Sequence, residues 1–499
     1  MGDVYSQHWR EFIYGQTNFQ GVNMPAPVYI TGHAGTGKTT KLLDRTVEYS
    51  QALLLQPNQQ LLAMAYMHGA RKRLESSLAE HPQCSRIPRI VSTVDSFALL
   101  LVNRWRTALG IALPVCVAPT RCTKRFERYA RLHLPFDEIT TYAANLLRNP
   151  TVARIVAFSY PLVAIDEFQD CLGPKLELVR ALADASQLIL AADGFQLLQD
   201  ERLDCPAVAW VEGLGNAGLR EHHQLTEHWR FSSNPDILLA ACAVREQKRL
   251  AQQAIPVYYG SAGQTAWKIM ERLQLGWQGP PWSGTTALIS PSSGGVIETV
   301  LQSLDGQSVK AGRKPIRWSR QATSEQEHAS LLKALGVEND HLDETQWQPA
   351  PDASNPHAAQ VIDRANRFAH LRGLQQVPKS LVSSIAEQVI HISRAHARTT
   401  PRFVVTTVHG AKNREFDNVC VLWSYQIPPN PEVQRRLLYN AVTRAKSNCI
   451  VFDTRNQAIA TNDPVITLLG MPKPVFNKKP KAKKLVQRTT PRSAVPRKK

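Results

Sequence analysis

"APVYITGHAGTGKT", Ala26 to Thr39, decides the fold. An apolar run ends at Gly32, glycines follow at 35 and 37, and "KLLDRTVEYSQALLL" continues with helical spacing. The order is strand, glycine turn, helix. Glycines let a backbone wrap closely around an anion with its N–H groups pointing inward, and the start of a helix adds partial positive charge. The spacing fits G-x-x-x-x-G-K-[ST]. In this reading Gly32, His33, Ala34, Gly35, Thr36, Gly37, Lys38, Thr39 and Thr40 surround the phosphates of ATP. Lys38 reaches the outer phosphates and the Thr39 hydroxyl binds Mg²⁺. An ordinary glycine-rich turn is the competing reading, disfavoured by the strand before it and the helix after it.

Working outward, "LLAMAYM", "RIVSTVDSFALLLV", "YPLVAID" and "SQLILAAD" are further apolar runs of strand length with helical spacers. Such alternation means a parallel, doubly wound α/β sheet. A second set follows in "TTALIS", "PRFVVTTVHG", "DNVCVLW" and "NCIVFD". The chain of 499 residues therefore reads as two tandem α/β cores, each interrupted by a small helical insert. The expected division is 1–97 and 159–230 for the first core and 98–158 for its insert. It is 231–320 and 401–470 for the second core, 321–400 for its insert, and 471–499 for a tail.

The phosphate loop explains a second stretch, "LVAIDEFQD", Leu162 to Asp170. A buried strand that delivers two acids needs something positive facing them. Mg-nucleotide supplies it. Asp166 would hold the metal, and Glu167 would orient or deprotonate the attacking water. Phosphoryl transfer also needs cations on the developing charge. Arg230 in "EHWR" and Arg444 in "NAVTRAK" are candidates, although each taken alone reads as a surface arginine.

The formal net charge is +18, and eleven Lys or Arg with no acid lie between Lys473 and Lys499. This Pro-bearing tail is expected to be disordered, and with a basic body it points to a polyanion partner. A solubilising or targeting tail is the other reading. The N-terminal "MGDVYSQHWREF" has acids and no apolar core, no run is long enough to span a membrane, and the 8 cysteines are scattered without Cys-x-x-Cys. The expectation is a protein of a reducing cytosol, with no membrane association and no zinc site or disulfide framework.

"GHAGTGKT", "IDEFQD", "ADGFQ", "EHWR", "TVHGAKNREFD" and "LLYNAVTRA" follow one another in an order that resembles superfamily 1 helicases of the UvrD/Rep/PcrA type, over most of residues 26 to 455. The resemblance implies two RecA-like cores and a motor that moves 3′ to 5′ on single-stranded or tailed duplex DNA, using ATP and Mg²⁺, in repair, replication or defence. It implies that Gln196 senses the γ-phosphate, that Arg230 and Arg444 are arginine fingers, and that Glu415 meets the ribose. Tyr66, Thr93 and Ser96 from the first core, and Thr407 and His409 from the second, would meet the strand. Gln16 would read adenine, with Gln20 competing. Asn413-Arg414 stands where the family commonly has Gly-Leu, and His228-Trp229-Arg230 where it has Asn-Tyr-Arg. An aromatic-rich stretch after Gln196 is replaced by "LLQDERLD". The alternative is a translocase or sensor with weak unwinding that works with a partner nuclease or repair protein.

Overall fold

A computed structural model describes residues 26–476, apart from 119–123, 129–130, 199–203, 219, 232–233, 277–278, 321–323, 338–344, 349–354, 356 and 397–400. Gln16, Gln20 and the basic residues beyond 476 lie outside the described residues. The strands in chain order are β1 (Val28–Gly32), β2 (Leu61–Ala65), β3 (Arg89–Thr93), β4 (Val115–Val117), β5 (Phe126–Arg128), β6 (Arg131–Leu134), β7 (Leu162–Asp166) and β8 (Gln187–Ala192). They continue with β9 (Glu221–Leu225), β10 (Val257–Tyr259), β11 (Thr286–Ser290), β12 (Ser319–Arg320), β13 (Phe403–Thr407), β14 (Phe416–Trp423), β15 (Ala445–Asp453) and β16 (Lys473–Pro474).

Two sheets organise the molecule. The first has the order β3-β2-β7-β8-β1-β9, the second β12-β13-β11-β14-β15-β10-β16, and every pairing in both is parallel. Central strands such as "LVAID" and "QLILAA" are buried along their whole length, which is why they read as unbroken apolar runs. Helices cover both faces. One face of the first sheet packs Leu62, Val163 and Leu190 against Phe97, Leu101 and Leu178, and the other packs Val28, Ile30 and Ala164 against Leu42, Leu74 and Leu78. The second sheet has two such layers, centred on Val419 and Trp423 and on Leu288 and Phe452. The two α/β cores expected from the sequence are present.

In the first insert, helices come with a small sheet of order β4-β6-β5, whose strands of three or four residues are too short to show a period. The second insert packs helices Ser324–Ala334, Ala358–Arg372 and Lys379–His396 around Leu331, Val361 and Val382. The start of the expected tail is folded. Lys473–Pro474 pairs with β10, and Val475 is buried in the second core. Pro is tolerated there because β16 is an edge strand. Among the described residues no helix is long and apolar enough to cross a membrane, and seven cysteines are free thiols.

Candidate nucleotide site between the two cores

The phosphate loop leaves β1 and enters helix α1 (Lys38–Ala52). Gly35 and Gly37 have φ of 77° and 82°, the left-handed region that glycine enters without strain. At Gly35 a Cβ would also stand 2.6 Å from the Arg230 Cβ, so only glycine fits. Lys38 Nζ donates to the carbonyls of Gly32 and His33, both at 2.9 Å, and Thr36 donates to His33 O. Burial lowers the Lys38 pKa against the pull of Asp193, Glu167 and Asp166. Thr40 is exposed at the start of α1.

Three neighbouring strands, β7, β8 and β1, bring their carboxyl ends together, the edge where open α/β sheets bind ligands. Asp166 ends β7, and its Oδ2 accepts from the Thr39 hydroxyl at 2.9 Å. This hard oxygen pair fits Mg²⁺, which takes one or two protein oxygens and fills its remaining positions with water and phosphate. Burial and the adjacent Glu167 push the Asp166 carboxyl up. Glu167 sits at φ 57°, a left-handed conformation that costs a non-glycine residue about 1–3 kcal/mol and turns it away from the strand. Burial pushes its pKa up, but Lys412, Arg73, Lys38 and a hydrogen bond from Gln169 outweigh that and hold it at about 2.

The residues after the acids have distinct tasks. Phe168 is fully buried and meets Trp210 edge-on at 6.0 Å. Gln169 Nε2 donates to Glu167 at 2.6 Å, while its Oε1 accepts from Asp193 N at 3.0 Å. It therefore fixes the Glu167 carboxylate to the end of β8. Asp170 receives Lys412 Nζ at 2.6 and 2.7 Å, in a buried ion pair between the two cores. Burial outweighs Lys412 there and raises the Asp170 carboxyl to about 6.

The second core closes over this edge. Helix α2 (Pro235–Arg245) and helix α3 (Pro431–Val442) supply its contacts. The Tyr439 hydroxyl accepts from Ala34 N at 2.9 Å, so α3 touches the phosphate loop directly. Arg245 donates to both oxygens of Asp193, at 2.8 and 3.0 Å, and the Asp193 pKa is lowered by Lys38 and Arg245 despite burial. Gln196 donates to Asp193 at 2.9 Å and accepts from Arg444 at 3.4 Å. Burial and the neighbouring Arg230 bring the Arg444 pKa down to about 10. Arg230 lies in the crossover between the sheets, paired with Glu415 at 2.6 Å. The Trp229 and Arg230 amides both donate to Gly35 O, and the exposed Trp229 ring lies 3.5 Å from where a Gly37 Cβ would stand.

Lys38, Asp166, Glu167, Gln196, Arg230, Arg444 and Glu415 are thus gathered around one loop. Glu415 here neutralises Arg230, with Lys446 at 4.0 Å on its other oxygen. Asp193, Gln169 and Tyr439 belong to the same cluster. Asp193 has the signal that marked Asp166, an acid ending an apolar run, and Tyr439 lies inside the "LLYNAVTRA" motif. Arg73 and Arg245 have no such signal, because ordinary helices deliver them from a distance. Arg73 reaches Glu167 at 3.6 Å and Asn413 Oδ1 at 3.2 Å.

The residues expected to meet the strand have local partners of their own. Lys175 Nζ sits 4.5 Å over the Tyr66 ring. Thr93 is buried and caps its helix by accepting from Ser96 N at 3.1 Å, with the Ser96 hydroxyl at 2.8 Å. Thr407 accepts from Gly410 N, and the exposed His409 ring bonds Leu198 O at 3.0 Å across the two cores.

Two family models match parts of the chain. A UvrD-like helicase C-terminal domain matches residues 402–452, and an AAA domain matches residues 18–201. These matches bear out the resemblance to superfamily 1 UvrD/Rep-like helicases. Among solved structures, the Pif1 helicase from Bacteroides in complex with ADP-AlF3 and single-stranded DNA is 14% identical with a TM-score of 0.35. That match covers 86% of this chain and 89% of the other. No curated protein matches the chain.

Proposed function

We propose that the chain is an ATP-driven DNA motor that hydrolyses Mg-ATP between its two cores and moves 3′ to 5′ along single-stranded DNA. The observation that carries the ATPase reading is convergence. Lys38, the Thr39–Asp166 pair and Glu167 meet Arg444 and Arg230 around one phosphate loop, from opposite cores. Lys38 would leave the loop carbonyls for the outer phosphates. Thr39 and Asp166 would share Mg²⁺, which screens the phosphate charge when bound. Glu167, held at about 2, is a weak proton acceptor, and its bond from Gln169 suits it to orienting the attacking water. Arg444 and Arg230 would stabilise charge on the leaving phosphoryl group. Because Gln196 touches both Asp193 and Arg444, it would tie the state of the phosphate to the fit between the cores. Glu415, once Arg230 turned to phosphate, would be released toward the ribose. The direction of movement rests on the family resemblance.

The test is ATP turnover with and without single-stranded DNA, run beside strand displacement on 3′- and 5′-tailed duplexes. DNA-stimulated hydrolysis, lost in Lys38→Ala, with displacement only from the 3′ tail, is the expected result. Displacement from the 5′ tail would overturn the polarity. Stimulated hydrolysis without displacement would favour a translocase or sensor that works beside a partner nuclease or repair protein.

A further inference from the structure

We propose that His33, His228 and Cys242 form a binding site for a zinc-class divalent cation that clasps the phosphate loop to the second core. One ligand atom from each residue lies within 4.8 Å of both others. His33 is in the phosphate loop, His228 in the crossover, and Cys242 on α2. The two imidazoles lie side by side, tilted, with centroids 5.4 Å apart and planes at 58°.

Zinc bonds to nitrogen at about 2.0–2.1 Å and to sulfur at about 2.3 Å, which places tetrahedral ligand atoms roughly 3.5 Å apart. Side-chain rotation of about 1 Å therefore closes the set. Three protein ligands leave a fourth position for water. The His228 Nδ1 atom is buried with no hydrogen-bond partner among the described residues, so that ring nitrogen is available to a cation.

The chemistry separates this site from the Mg²⁺ position. Two imidazoles and a thiol suit a borderline cation, whereas Mg²⁺ prefers the oxygens of Thr39 and Asp166. Burial, and after it mainly the Arg245 charge, lower the His33 pKa, and burial lowers that of His228, the direction that favours the neutral imidazole. Binding would convert Cys242 from thiol to thiolate and release one proton to solvent. The thiolate and nearby Asp193 offset the two cation charges, while Lys38 and Arg245 oppose them. A cation held from three elements stabilises the arrangement that joins them. A motor whose cores must shift would then be slowed. That consequence rests on the proposed function, but the binding does not.

The experiment uses the full chain with Co²⁺ as a spectroscopic probe and Zn²⁺ in competition with a chromophoric chelator. One equivalent of Co²⁺ should give a thiolate-to-metal band in the wild type and in Cys116→Ala, and none in Cys242→Ala. Zinc affinity should fall at least tenfold in Cys242→Ala, with an unchanged melting temperature. Under ATP, Zn²⁺ should inhibit the wild type and spare Cys242→Ala. A Cys242→Ala chain that keeps the cobalt band or the zinc affinity overturns the site. Loss of binding in that variant, in a preparation that hydrolyses no ATP, supports the site and counts against the proposed function instead.

Discussion

Gln169 holds Glu167 with its amide nitrogen and the β8 end with its amide oxygen. Shortening it should let the carboxylate rotate without touching the phosphate loop. Gln169→Ala is therefore expected to slow single-turnover hydrolysis about 10²-fold, the scale of a 1 Å misplacement, with little change in nucleotide affinity. Glu167→Gln should bind ATP and barely hydrolyse it. Asp170 gives a pH prediction. Its folded value of about 6 lies above the 3.9 or so of an exposed aspartate, so the unfolded chain releases this proton first. As pH rises from about 4 to about 6 the group by itself costs stability, and the cost is constant above that. Glu167 acts in the opposite sense, since stability from its depressed value is complete above about 4.3 and lost as pH falls toward 2. The melting temperature of Asp170→Asn relative to wild type should therefore climb between pH 4 and 6 and then level off. A difference that stays flat across that range would mean Asp170 ionises normally.

At the scale of elements, the turn after β13 explains a departure from the family pattern. Asn413 has φ 62°, and its side chain and carbonyl both accept from Arg73. Where the family commonly has Gly, this chain has the side chain that best tolerates the left-handed region. Asn413→Gly should lose only the side-chain bond, whereas Asn413→Ala should add about 1–2 kcal/mol of backbone strain. Thermal melting should rank wild type above Gly and Gly above Ala. Helix α3 gives a second case. It ends just before Arg444, whose Nε donates to Asn440 O at 3.0 Å while the guanidinium reaches Gln196. Arg444→Ala and Arg230→Ala should each cost turnover about 10³-fold or more while ATP still binds. Normal single-turnover hydrolysis in either variant would return that arginine to a structural role.

For the whole molecule, the second core is joined to the first by a set of separate ties. They include Asp170–Lys412, Asp193–Arg245, Ala34–Tyr439 and Gln196–Arg444. All of them end at the carboxyl edge of the first sheet, so under the proposed function a change at the nucleotide would reach the second core. The C-terminal end tests where the folded molecule stops. A chain cut after Gly470 should lose β16 and the buried Val475 side chain and melt lower. One cut after Phe476 should melt like the full chain and bind single-stranded DNA with a shallower salt dependence, by about 0.7 in log–log slope for each phosphate that the shortened chain leaves unneutralised. Equal slopes in the full and shortened chains would assign the basic residues to a role other than DNA binding.

The sequence alone determined the two α/β cores, because fully buried parallel strands must be unbroken apolar runs, and "LVAID" and "TALIS" are such runs. It also determined the phosphate loop and the strand-end acids, since that chemistry needs particular residues at fixed local spacing. It did not disclose β9, "EHHQL", an edge strand whose polar residues carry no apolar period. Nor did it disclose Arg73, Arg245 or the two-sided hold of Gln169. Those roles depend on which atoms meet far along the chain: the first sheet brings Gln169 to Asp193 and Arg73 to Glu167, and the packing of the second core on the first brings Arg245 to Asp193 and Asn413 to Arg73.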